Sequence, residues 1–133
     1  MRVARSFNRK IPTEIEYQQH LKKCTYILPE EWRCPVCDRN QRELMRWKKT
    51  KWSSNFHIHH DHGTRWQTKI LICSDCNAAD GLAKRLLKLP KQWSFSVEEL
   101  KEFVRCEPNG TIESIDLDIA QEIFQEWITY HSL

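Results

Sequence analysis

With 133 residues the chain can build one domain with a modest core, and it is too short for two large independent ones. Hydrophobic residues at 40%, charged residues at 29%, three glycines and five prolines exclude disorder and a repeat architecture, and no apolar run approaches the roughly 20 residues a membrane span requires. The net charge of +3 divides sharply: residues 1–95 carry 19 Lys/Arg against 9 Asp/Glu, and residues 96–133 carry 2 against 9. A basic body of that kind suits a polyanionic partner such as DNA, because neutralising phosphates releases counterions. With no apolar stretch after the basic start, a reducing cytoplasm is the expected compartment.

In chain order, residues 1–11 read as a basic arm. Thr13 with Glu16 forms a capping-box signature for a helix running to Lys23. The stretch from Tyr26 to Trp52 is irregular and interrupted by Pro29 and Pro35, with Cys34-Pro-Val-Cys37 as a metal-binding turn. Arg39, Arg42, Arg46, Lys48, Lys49 and Lys51 follow it, interleaved with Trp47 and Trp52, and are the expected nucleic-acid contacts. Asn55 to His60 and Gln67 to Cys73 have strand composition, and Asp61-His62-Gly63-Thr64 between them has that of a turn, so a β-hairpin is expected. Ser74 then caps a helix through Asn77, Leu82, Leu86 and Leu87 that ends before Pro90. Past Pro90, Ser96 and Glu99 make a second capping box, Pro108-Asn109-Gly110 a turn, and Asp116 or Asp118 the start of a helix. Ile119, Ala120, Ile123, Phe124, Trp127 and Ile128 line one face of that last helix. This acidic tail is expected to be a helical hairpin docked on the body by its apolar stripe. The organisation is therefore 1–25 arm and N-terminal helix, 26–90 zinc-bound core, and 91–133 acidic helical tail, with the core expected to act without the tail.

In a reducing compartment six cysteines point away from a disulfide framework. Cys34/Cys37 and Cys73/Cys76 are two Cys-x-x-Cys pairs, spaced so that four thiolates can reach one tetrahedral zinc ion in a closed, structural site. Cys24 and Cys106 are left as free thiols. Between the pairs lies His57-Ile58-His59-His60-Asp61-His62-Gly63, and Asn77 follows the last of the four cysteines. Neighbouring strand residues face opposite ways, so His59 and His60 should diverge.

Cys34-Pro-Val-Cys37, His59-His60-Asp61-His62-Gly63 and Ile72-Cys73-Ser-Asp-Cys76-Asn77 together resemble the HNH (His-Me finger, ββα-metal) nucleases, in particular the recombination endonuclease VII branch. The likeness covers about residues 32–88. It implies an α+β fold with a small zinc-stabilised ββα-metal core, and a metal-dependent DNA endonuclease in a bacterial or phage-infected cytoplasm. His60 would be the general base, His59 and Asn77 ligands of a catalytic divalent ion such as Mg²⁺ or Mn²⁺, and His62 a group near the scissile phosphate. His59 stands where the branch has aspartate, and Thr68 and Lys69 lie where many HNH enzymes place an orienting asparagine. Asp80 reads either as a further ligand or supporting group, or as a solvated helix residue. The alternative to a nuclease is a zinc-dependent nucleic-acid-binding module without turnover. A homodimer would suit cutting of both strands.

Overall fold

Thr13 accepts the Glu16 amide at 3.1 Å while Glu16 returns a carboxylate oxygen to the Thr13 amide at 3.0 Å, and this reciprocal cap opens α1 (Glu14–Lys23). A computed structural model describes residues 1, 9–25, 27–62 and 70–132. The basic residues 2–8, the Gly63-Thr64 part of the expected turn, the Gln67–Lys69 start of the second strand and the Thr68/Lys69 positions lie outside the described residues.

Two short antiparallel hairpins follow α1. The first pairs β1 (Arg46–Lys48) with β2 (Lys51–Ser53), with Trp47 opposite Trp52 and the rings edge-on at 5.2 Å. The sequence reads as irregular here, since three-residue strands rich in lysine carry too little alternation to be recognised; the cross-strand indole pair supplies the stabilisation. The second hairpin pairs β3 (Phe56–His59) with β4 (Ile70–Cys73), His59 opposite Ile70 and Phe56 opposite Cys73. α2 (Ser74–Leu86) begins directly where β4 ends. The order strand, strand, helix is therefore as expected for residues 55–88.

The tail departs from a helical hairpin. α3 (Val97–Phe103) leads into β5 (Val104–Cys106), which pairs with β6 (Ile112–Ile115) before α4 (Leu117–His131). Pro108-Asn109-Gly110 thus turns a pair of strands, not a pair of helices. β-branched Val104, Ile112 and Ile115 favour extended backbone here. Both remaining caps stand as expected: Ser96 with Glu99 forms the capping box of α3, and Asp116 accepts the amides of Asp118 and Ile119 at the start of α4.

Nor is the tail an appendage. A single cluster of buried side chains contains Cys34, Val36, Leu44 and Ile72 from the body together with Trp93, Phe95, Leu100, Phe103, Ile115 and Phe124 from the tail. Phe95, Phe103, Leu100 and Ile115 are fully enclosed. The stripe on α4 docks as anticipated, with Ala120, Ile123 and Phe124 buried and Ile119, Trp127 and Ile128 packed against the cluster. Asn109 adds polar bonds across the same boundary. Its side-chain amide donates to the carbonyls of Arg42 and Met45, each at 2.8 Å, and its own amide to that of Glu43 at 2.6 Å. A φ of 56° at this position is one an asparagine tolerates. The fold is a small α+β protein with four helices and three two-stranded antiparallel sheets among the described residues. No helix among them is long and apolar enough to cross a membrane.

A four-cysteine centre and the strand end beside it

Cys34 and Cys37 sit on a tight turn closed by the Asp38 amide on the Cys34 carbonyl at 2.8 Å and the Cys34 amide on the Arg39 carbonyl at 3.0 Å. Asp38 takes a φ of 62°, which reverses the chain just past the second thiol. Cys73 ends β4 and Cys76 lies in the first turn of α2. Ser74 is not the cap of α2. Cys73 fills that position, its sulfur accepting the Cys76 amide at 3.4 Å, because an electron-rich thiol serves as acceptor there.

The four sulfurs lie within 4.8 Å of one another, with Cys34 to Cys76 at 3.9 Å and Cys37 to Cys73 at 3.8 Å. Four thiolates about 2.3 Å from a tetrahedral zinc ion would be about 3.8 Å apart, so the spacing and the all-sulfur donor set fit a metal such as zinc. Cys34, Cys73 and Cys76 are buried and Cys37 partly so, leaving no open coordination position of the kind a catalytic zinc keeps.

Arg39 was expected on a phosphate backbone, and the structure corrects this. It is only 3% exposed. Its Nε donates to Cys37 Sγ at 3.2 Å, and one terminal nitrogen to Cys73 Sγ at 3.3 Å and Asp75 Oδ2 at 3.0 Å. The other terminal nitrogen reaches the carbonyls of Glu107 at 3.0 Å and Gly110 at 3.2 Å. Four thiolates around a divalent ion carry a net double negative charge, and a buried guanidinium beside them offsets part of it. Burial works against its charge, yet the neighbouring Cys37, Cys106 and Cys73 sulfurs hold the Arg39 pKa above the ordinary arginine value. Cys34 is lowered to about 7: the hydrogen bond with Cys37 raises it, and those with Cys73 and Cys76 outweigh that.

Two further members of this centre went unread in the sequence. Asp75, inside the second Cys-x-x-Cys, accepts from both Arg39 and Arg46 at 3.0 Å each. Cys106 lies with its sulfur 4.0 Å from that of Cys76, brought there by a slip in register between Arg105 and Cys106 on β5. Its pKa is pushed up to about 12, first by the hydrogen bond to Cys37. The charged pair Arg39/Asp75 adjoining the cysteine pairs was a visible signal. Cys106, 30 residues beyond Cys76, had none.

The other arginines expected on DNA are also engaged within the fold. Arg42 bonds Glu14 and the Pro12 carbonyl at 2.9 Å each, and Arg46 bonds Asp75. Lys48, Lys49 and Lys51 are exposed around the tip of the β1–β2 hairpin.

At the end of β3 the histidines diverge. His59 is 3% exposed, and its Nε2 lies 2.6 Å from the Phe95 carbonyl, which can only accept, so Nε2 carries a proton and the ring is held by that bond. His60 is exposed. His62 turns into the tail, stacked on Trp93 at 4.8 Å and donating to Glu99 Oε1 at 2.8 Å, with its amide on the Ser94 carbonyl. His62 is thereby partly buried against the tail. Asn77 is half-buried in the first turn of α2, and His57 is exposed. Asp80 is buried rather than solvated, one oxygen accepting the Phe95 amide at 2.9 Å and the other 3.4 Å from Lys84 Nζ. It thereby fixes the backbone whose carbonyl holds His59.

Among the described residues the four cysteines form the one group of three or more His, Cys, Asp or Glu side chains that could hold a metal. Comparison with known proteins found no matching family model, no similar curated protein and no similar solved structure.

Proposed function

We propose that the chain is a metal-dependent endonuclease that hydrolyses DNA phosphodiester bonds, built as a zinc-stabilised ββα-metal nuclease. The observation that carries this reading is the divergence of His59 and His60 at the end of a hairpin strand tied by four cysteines to the start of α2. His60, exposed, takes the proton of the water that attacks phosphorus; the 3′ oxygen leaves and is protonated from solvent. His59, with its Nε2–H given to the Phe95 carbonyl, keeps Nδ1 for a divalent ion, the arrangement usual for a metal-ligating imidazole. Asn77 would complete the protein's share of that site. Such an ion would supply charge to offset that developing on the phosphate and the leaving oxygen. Asp80 and Phe95 orient His59, and His62, held by Glu99 and Trp93, fixes the strand end.

The lysines of the β1–β2 tip provide the cationic contact to the DNA backbone. The decisive experiment is plasmid nicking in Mn²⁺ by the zinc-loaded protein and its His60→Ala variant. Loss of nicking by at least about 100-fold in the variant is expected from removal of a general base. Unchanged nicking by the variant would refute the mechanism.

A further inference from the structure

A cleft of about 570 Å³ opens between α1 and the β1–β2 hairpin, away from the four cysteines, and none of the residues assigned to cutting lines it. It has the size of a small-ligand site. Trp47 and Trp52 line it, and His20 reaches from α1 to Ser54 Oγ at 2.8 Å. Lys10 Nζ lies 3.9 Å from the centre of the Trp47 ring, which places a cation at that indole. Gln19 and Asn55 bring side-chain amides to the lining, each offering donors and an acceptor.

The charge at the cleft is positive. Lys23 and Lys51 line it, with Lys48 and Lys49 at the adjoining hairpin tip. Its carboxylate, Glu16, is occupied by the Thr13 amide at 3.0 Å and Trp52 Nε1 at 2.9 Å. Indoles for stacking, amides for the hydrogen-bonding edge of a base, and ammonium groups for phosphate are the three elements of a single-strand site. Duplex DNA keeps its bases stacked and offers such a cleft none of them. Asn55, just before β3, and Phe56, its first residue, line the cleft, and His60 follows the strand's end, about 14 Å beyond Phe56 at roughly 3.4 Å per residue. One strand can occupy both places.

We infer that this cleft binds an unpaired nucleobase of a single-stranded segment. The inference rests on the nuclease reading for its substrate class, and it deepens that reading from DNA in general to DNA with unstacked bases. The test uses zinc-loaded His60→Ala protein without other divalent ions, so that nothing is cut. Fluorescence anisotropy compares a labelled twelve-nucleotide oligothymidylate with a strand of equal length and charge in which the central sugars carry no base. Base stacking predicts about 5- to 150-fold weaker binding of the abasic strand. Trp47→Ala, checked for retained zinc and cooperative unfolding, should erase that difference, and so should Gln19→Glu at an exposed position of the lining.

Equal binding of the two strands by the parent protein overturns the inference. A difference that survives unchanged in Gln19→Glu and in folded Trp47→Ala overturns the assignment to this cleft. A protein that discriminates between the strands and yet cuts no DNA in its His60 form keeps the base site and loses the nuclease. One that cuts and does not discriminate keeps the nuclease and loses the base site.

Discussion

Arg39 illustrates at the residue scale how position overrides charge. Two residues past a thiol, it stands first of six basic residues that all suit phosphate by their charge. The fold buries it against Cys37 and Cys73 and shares its fork with Asp75. Arg39→Met should therefore weaken zinc binding by about 10- to 100-fold, the usual cost of removing a group that supports metal ligands. Competition with a chromogenic chelator measures it, and unchanged affinity would show that the guanidinium does not support the thiolates. His20 offers a second residue-level expectation. Burial, and then Lys23, lowers its pKa from 6.5. Both folded and unfolded chains hold it neutral well above pH 6.5, where its contribution to stability is complete; that contribution falls as the pH drops through the lowered folded value. Thermal unfolding from pH 7.5 to 5 should thus fall more steeply in the parent than in His20→Gln, and parallel curves would show that the imidazole carries no such linkage.

Among the elements, the two capping boxes were legible because the signal is local: a hydroxyl and a carboxylate three residues apart specify a helix start wherever the rest of the chain goes. They are not equivalent in the fold. Thr13 caps a helix with no buried residue, whereas Ser96 caps one whose Val97, Leu100 and Phe103 are buried and whose Glu99 also holds His62. Either alanine substitution should cost about 1 kcal/mol of its own helix. Only Ser96→Ala should lower the global unfolding midpoint in denaturant, since α1 can fray without opening the core. Equal midpoint shifts for Thr13→Ala and Ser96→Ala would refute that distinction. Short strands, both β1–β2 and β5–β6, were the elements the sequence concealed. Three or four residues hold too few alternations to compete with a helical reading, and their pairing is secured by partners distant in the chain, such as Asn109 on the carbonyls of Arg42 and Met45.

At the scale of the whole molecule, body and tail share one core. The cysteine centre joins the 34–37 turn to the start of α2, and Arg39 extends it to the carbonyls of Glu107 and Gly110 in the tail. Removing zinc with a strong chelator should therefore unfold body and tail together, seen as a single loss of near-ultraviolet circular dichroism. Truncation after residue 90 should give the same result even with zinc present, because Phe95, Leu100, Phe103 and Phe124 leave the core. A truncated protein that folds with zinc would mean that residues 26–90 are autonomous after all.

The sequence by itself determined the grouping of the four thiols, the strand pair before α2, the two capping boxes and the divergence of His59 from His60. Each of these depends on spacing within a few residues and on the fixed periods of turn, strand and helix. Tertiary structure alone decided that Arg39 faces sulfur, that Cys106 joins the centre, that Asp80 and Phe95 hold His59, that His62 belongs to the tail and that a cleft lies beneath α1. Those outcomes turn on which distant segments share one small core, and no local period encodes that choice.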